Sequence, residues 1–107
     1  MGYAQPEGRS LWLGTLSPSL QAGHVSVLSQ SGSVADALLS IGPRIGFRTV
    51  MSTGNESGLD AADFVNAFAN DEGTKAIGLF LETVRRPEAF AEALRNCAEK
   101  NLSLIHI

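Results

Sequence analysis

Three serines and a glycine crowd into five residues at Ser29-Gln30-Ser31-Gly32-Ser33. The apolar run His24-Val25-Ser26-Val27-Leu28 leads into them, and Val34-Ala35-Asp36-Ala37-Leu38-Leu39-Ser40-Ile41 leads out with helical spacing. A strand that turns through small hydroxyl and glycine residues into a helix leaves backbone N–H groups unpaired at the helix start. Those amides, the helix dipole and the serine hydroxyls together suit a phosphate or another anion. The serines also serve as ordinary helix caps, but their density exceeds what one cap needs. Two further groups fall at corresponding places. Gly54-Asn55 sits in a loop, where Gly-Asn equally supplies plain turn geometry. Glu82 ends the apolar run Ala76–Leu81, and a carboxylate at the end of a buried strand needs a partner or a site to face.

The elements that must carry these residues are legible from periodicity. Val25–Leu28 reads as a short buried strand. Val34, Ala37, Leu38 and Ile41 predict a helix ending near Gly42-Pro43. Phe47–Met51 is a second strand, followed by the loop Ser52–Gly58. Asp60 is placed to cap a helix whose apolar face is Ala61, Phe64, Val65 and Phe68. Asp71–Thr74 make a turn into the strand Ala76–Leu81. Pro87 opens the next helix with Glu88 in its first turn and Lys100 at its end, in keeping with the helix dipole, and buries Phe90, Ala93, Leu94 and Cys97. Strand onsets near 25, 47 and 76 leave room for crossover helices, so the sheet is expected to be parallel. The outcome is an α/β fold, a βαβαβα unit with an open, doubly wound parallel sheet. Ligands bind such sheets beyond the C-terminal strand ends, where Ser29–Ser33, Gly54-Asn55 and Glu82 all fall.

Composition narrows the function. The 107 residues fit one small domain of ordinary composition, 44% hydrophobic and 18% charged. A net charge of −3 lacks the basic surplus of a nucleic-acid binder, and the adjacent pair Arg85-Arg86 reads as a solvated surface patch. The single Cys97 excludes an internal disulfide and reads as a buried, inert thiol. No apolar stretch approaches the roughly 20 residues of a membrane span, and Met1–Gly23 lacks the pattern of a secretory signal. A cytoplasmic location is expected, with no membrane and no nucleic-acid partner. No P-loop, dinucleotide-binding glycine motif or hydrolase elbow is present. His24 and His106 lie far apart and form no metal site with cysteine or carboxylates; each reads as a strand-end polar residue.

The breaker-rich residues 1–22 read as an irregular arm, the end of an upstream domain or a linker, anchored by Leu11-Trp12-Leu13. Residues 23–101 form the domain. Residues 102–107 have the composition of a fourth strand, yet the string also resembles a translated sequencing-adaptor tail. The chain is therefore expected to be a piece of something longer.

From Gly23 to Lys100, about three-quarters of the chain, the sequence resembles the flavodoxin-like central domain of the NDP-forming acyl-CoA synthetases. These are the relatives of the succinyl-CoA synthetase α subunit and of ADP-forming acetate–CoA ligase. The match is carried by Gly23–Gly32, Gly46-Phe47, Ser52-Thr53-Gly54-Asn55, Asp71–Ile77 and Leu81-Glu82. The resemblance implies a flavodoxin-like three-layer αβα domain, truncated here. It also implies a parent that converts a small carboxylic acid, CoA and ATP, with Mg2+, into acyl-CoA, ADP and phosphate by way of an acyl-phosphate and a phosphohistidine. On that likeness, Ser29, Gln30, Ser31, Gly32 and Ser33 form the phosphate-binding loop, with the amides and hydroxyls of Ser31–Ser33 cradling the phosphohistidine. Gly54 and Asn55 belong to an active-site loop, and Glu82 orients the histidine ring.

The departures from the pattern carry expectations too. Neither His24 nor His106 matches the phosphorylated histidine, which lies in a later segment of the family. A CoA-binding domain and an ATP-grasp domain or subunit are implied as partners. The isolated chain is thus expected to bind no cofactor and to have no synthetase activity. Other readings stay open. Ser29–Gly32 with Ala35–Leu38 also looks like the phosphosugar loop of sugar-isomerase (SIS) domains, although that family has Glu-Thr where Ser33-Val34 stand. An FMN module is opposed by Val34, which breaks the run of hydroxyls. A non-catalytic flavodoxin-like regulatory module has the same fold.

Overall fold

The structure, a computed structural model, describes residues 2–4, 11–12, 21–40, 44–53 and 59–106. Its strands and helices, in chain order, are β1 (Gly2–Ala4), β2 (Leu11–Trp12), β3 (Gln21–Ser29), α1 (Gly32–Leu39), β4 (Gly46–Ser52), α2 (Ala61–Ala69), β5 (Ala76–Phe80), α3 (Pro87–Glu99) and β6 (Ser103–His106). They form one six-stranded sheet in the order β2-β1-β4-β3-β5-β6. The four strands β4, β3, β5 and β6 run parallel, and β1 and β2 add an antiparallel ribbon at the β4 edge.

The parallel part follows from the alternation of side chains along a strand. Neighbours Val27 and Leu28 go to opposite faces. Val27 joins Phe47 and Val50 beneath Ala35 and Leu39 of α1. Leu28 joins Ile77 and Leu79 beneath Ala61, Val65 and Phe68 of α2 and Ala93 and Cys97 of α3. One helix covers one face and two cover the other, which gives the expected three layers. Among the described residues no helix is long and apolar enough to cross a membrane.

Helix boundaries are set by local chemistry. Ser31 caps α1 by accepting from the Val34 amide at 3.3 Å. Asp60 caps α2 in a full capping box: its carboxylate accepts from Asp63 N–H at 3.2 Å, and the Asp63 carboxylate accepts from Asp60 N–H at 3.0 Å. At the end of α3, Asn101 takes the left-handed conformation (φ 58°). The amides of Leu102 and Asn101 then donate back to the carbonyls of Cys97 and Ala98, at 3.0 and 3.1 Å. This turn sends the chain into β6, the fourth parallel strand.

The structure corrects several sequence expectations. The arm before Gly23 is not wholly irregular: Gly2–Ala4 and Leu11–Trp12 pair into the sheet, and Gln21–Gly23 already belong to β3. The glycine that read as a breaker is there for a close approach. A Cβ on Gly23 would stand 2.5 Å from the Gly46 backbone of the neighbouring strand, beside a shift of register between Ala22 and Ser26. Helix α1 stops at Leu39 with Ser40 as its C-cap rather than running to Ile41, and residues 41–43 lie outside the described set. Strand β5 ends at Phe80 rather than Leu81.

Candidate functional site

The order of the parallel strands places a crevice. From β3 the chain leaves through α1 to β4 on one side, and the connection through α2 then carries it across to β5 on the other. The reversal lies between the C-terminal ends of β3 and β5, the position where doubly wound sheets hold their ligands. One lip of this crevice is the loop Gln30–Ser31 with the first turn of α1. The other is the loop 81–86 between β5 and α3.

On the first lip the five residues divide their labour. Ser29 is fully buried; its hydroxyl donates to the Ser31 carbonyl at 2.7 Å and accepts from the Ser31 amide at 3.0 Å, so it shapes the turn. The Gln30 carboxamide reaches across to the other lip. Its Oε1 accepts from the amides of Glu82 and Thr83 at 2.6 and 2.9 Å, and its Nε2 donates to the Thr83 carbonyl at 2.7 Å. Ser31 caps the helix and lies 3.2 Å from the Ser33 hydroxyl. The first N–H groups of a helix have no partner within it. With Val34 taken by Ser31, the amides of exposed Gly32 and Ser33 bond to no other described residue. Two amides and two hydroxyls at a helix N-terminus fit a phosphoryl group. Among the described residues, a Cβ on Gly32 would meet nothing nearer than the Ser52 hydroxyl at 4.0 Å. Packing among the described residues therefore does not require a glycine there, whereas close approach of an anion would.

Behind this lip, Thr53 donates its amide to the Ser29 carbonyl at 3.1 Å. Its hydroxyl oxygen is buried with no hydrogen-bond partner among the described residues. A buried hydroxyl without a partner is costly. The sequence placed Thr53 in the segment Ser52-Thr53-Gly54-Asn55 that carries the family resemblance but assigned it no role, because threonine at a strand end has no distinguishing pattern. Gly54 and Asn55 lie outside the described residues.

Glu82 departs from expectation. Because β5 stops at Phe80, Glu82 stands in the loop and is exposed rather than buried at a strand end. What holds it is its backbone, through Gln30. The far end of the same loop is held by Arg86, which the sequence had suggested was a solvated surface residue. Its guanidinium makes a two-pronged pair with the Asp60 carboxylate, at 2.6 and 2.8 Å, and reaches Asp63 at 2.9 Å. Arg86 thereby joins the starts of α2 and α3. The hydrogen bonds from Arg86 hold the buried Asp60 carboxyl far below the usual carboxylate range, against the opposing effect of burial. The only hint of this in sequence was the pair Asp60 and Asp63 at a helix start.

Other residues behave as their types dictate. Cys97 is fully buried, and burial pushes its thiol upward, in keeping with an inert core cysteine. His24 is exposed, and its Nδ1 donates to the Gly73 carbonyl at 2.9 Å. No cluster of histidine, cysteine and carboxylates suited to a metal occurs among the described residues. Phe90 and Leu94 are only half buried; with Leu79, Leu81, Leu104 and Ile105 they line an apolar groove of about 340 Å3 beside Glu82.

The family described as the succinyl-CoA ligase like flavodoxin domain matches residues 22–106. The chain belongs to that family. It is 42% identical over 65 residues to an ADP-forming acetate–CoA ligase of Methanocaldococcus jannaschii, a match covering 59% of this chain and 9% of that protein. It is 35% identical over 80 residues to the α subunit of the ADP-forming acetate–CoA ligase I of Pyrococcus furiosus, covering 73% of this chain and 17% of that one. Among solved structures it superposes, with a TM-score of 0.78 and 27% identity, on the dinucleotide forming acetyl-coenzyme A synthetase 1 of Ca. Korarchaeum cryptofilum in complex with phosphate and ADP. That match covers 86% of this chain and 20% of the other. The flavodoxin-like domain thus spans about a tenth to a fifth of the length of these ligases.

Proposed function

We propose that this domain is the phosphate-holding part of an ADP-forming acyl-CoA synthetase, one that joins a small carboxylic acid to CoA at the expense of ATP. The observation that carries the reading is the pair of amides at Gly32 and Ser33, which have no partner among the described residues. They face solvent at the crevice of a domain whose relatives are acetate–CoA ligases. In this role the Gly32 and Ser33 amides, with the Ser31 and Ser33 hydroxyls, bind a phosphoryl group carried on a histidine of another segment. The positive end of the α1 dipole favours its negative charge. Glu82 accepts a hydrogen bond from that histidine and fixes its ring orientation, as carboxylates do for ligating histidines. Nucleotide, Mg2+ and CoA are held by a CoA-binding module and an ATP-grasp module outside this domain.

The reading is supported by the fit of two amides and two hydroxyls at a helix N-terminus to a phosphoryl group. Its test is a chimera in which residues 22–106 replace the matching segment of the Pyrococcus furiosus α subunit, assembled into the whole ligase. The expected result is acid-labile 32P incorporation from labelled ATP and formation of acetyl-CoA. Both should be lost in Glu82→Ala and in Gly32→Pro, while the isolated 107-residue chain incorporates nothing. Full activity of the Glu82→Ala chimera, or incorporation by the isolated chain, would overturn it.

A further inference from the structure

Gln30 is where two tasks meet. Its backbone amide donates to the Phe80 carbonyl at 3.0 Å, one step beyond the last paired residues of β3 and β5. At this point the main chain must turn away so that Ser31–Ser33 can open α1, and β5 ends as well. The next peptide groups of the β5 chain, at Glu82 and Thr83, would be left with no strand to pair against, and exposed loop amides of that kind open readily. The Gln30 side chain takes the missing strand's place. A carboxamide has the donor and acceptor of a peptide group. Here Oε1 accepts from two successive amides and Nε2 donates to the Thr83 carbonyl. Its orientation is set by these partners, since the reversed amide would turn its N–H groups toward N–H groups.

We infer that Gln30 is the positioning residue of the crevice: its side chain extends the parallel ladder past the end of β3 and couples the anion seat at Gly32–Ser33 to the backbone that carries Glu82. The coupling to function rests on the phosphoryl-holding role proposed above; the brace itself does not. Gln30 adjoins Ser31 on one lip and grips residues 82–83 on the other, so any adjustment of the seat reaches Glu82 through one rigid amide. Exposed Glu82 can then hold a defined place without burial. Asn would be one methylene too short to span the same gap, and Glu would keep the acceptor but lose the donor to Thr83 and place a charge beside an anion seat.

Amide exchange and 15N chemical shifts of the 107-residue chain, with inorganic phosphate as the probe, test this directly. In the wild-type chain the Glu82 and Thr83 amides should be protected from exchange, and phosphate should shift them together with Gly32 and Ser33. Gln30→Met, of similar length but without polar atoms, should lose at least tenfold of the protection at Glu82 and Thr83. Protection at the core amides of Ile77 and Leu79 should stay unchanged, and the response of residues 82–83 to phosphate should vanish. Gln30→Glu should restore most of the protection at these two amides while weakening phosphate binding. Unchanged protection at Glu82 and Thr83 in Gln30→Met overturns the brace, whether or not phosphate binds. Protection lost as expected, but with wild-type phosphate shifts at Gly32–Ser33 that never reach residues 82–83, overturns the coupling. Failure of phosphate to bind the wild-type chain overturns the seat and the coupling together, and leaves the brace to be judged by protection alone.

Discussion

The two ends of the parallel sheet treat their polar groups in opposite ways. At the lower end, where β5 begins, Ser26 donates to Thr74 at 2.8 Å and Thr74 to Asp71 at 2.6 Å, while Arg48 grips the same carboxylate at 3.0 and 3.2 Å. The Gly73 amide closes the turn on Asp71 at 3.3 Å, and His24 holds the Gly73 carbonyl. The polar atoms of this cluster answer one another. At the upper end, the hydroxyl of Ser29 and the carboxamide of Gln30 are spent on shaping and bracing, but the Gly32 and Ser33 amides and the Thr53 hydroxyl have no partner among the described residues. The difference lies in closure: a closed network stabilises the fold, whereas donors left over at a helix start are available to a ligand.

The largest effect expected from breaking this contrast falls at the closed end. Thr74→Val keeps the shape but leaves the Ser26 hydroxyl and the Asp71 carboxylate short of a partner, which costs about 1–3 kcal/mol. Urea unfolding should show this loss, and phosphate-induced shifts at Gly32 and Ser33 should be unaltered. Next is Arg86→Ala, which strips a nearly buried Asp60 of its guanidinium. Because the Arg86 side chain is itself 54% exposed, solvent takes up part of the loss, and a smaller drop in the urea midpoint than for Thr74→Val is expected in the same assay.

Acid sharpens the comparison further. Hydrogen bonds from Arg86 and Arg48 hold the Asp60 and Asp71 carboxyls, respectively, below their ordinary value of 3.8 in the folded chain. The unfolded chain therefore takes up these protons first. The stabilisation is complete above that range and is lost as the pH falls below it. Urea midpoints measured from pH 6 down to pH 2 should drop below about pH 4, and the drop should be shallower in Arg86→Ala, where the Asp60 share is already gone. The smallest effect on stability belongs to Gly32→Ala at the open end. The described residues leave room for the methyl group, so unfolding free energy should change by no more than about 0.5 kcal/mol. On the phosphoryl-holding role proposed above, phosphate binding should nonetheless weaken several-fold, because the added methyl group would crowd the anion and not the core.

How far the sequence foretold this arrangement depended on the reach of each signal. The buried parallel strands were legible because a strand covered on both faces reads as an apolar run, as Val25–Leu28 and Ala76–Phe80 do. Asp60 was legible as a cap because it stands directly before the periodic face of Ala61, Val65 and Phe68. The edge ribbon Gly2–Ala4 and Leu11–Trp12 was not, since strands of two or three residues contain no period to detect. Glu82 read as buried because the strand was expected to end one residue later than it does. The bracing bonds of Gln30 and the ion pairs of Arg86 were not legible for a common reason: their partners lie 52 and 26 residues away along the chain, and nothing local announces such a bond. The strand-to-helix turn at Ser29–Ser33 was legible because it is built entirely from local chain geometry.

The most direct test of the difference between the two ends is a titration of the 15N-labelled 107-residue chain with inorganic phosphate. Saturable shifts at the Gly32 and Ser33 amides, with Gly73, Thr74 and Lys75 silent, are the predicted result. Unmoved Gly32 and Ser33 amides, or shifts centred on Lys75 and Lys100 at the closed end, would contradict it.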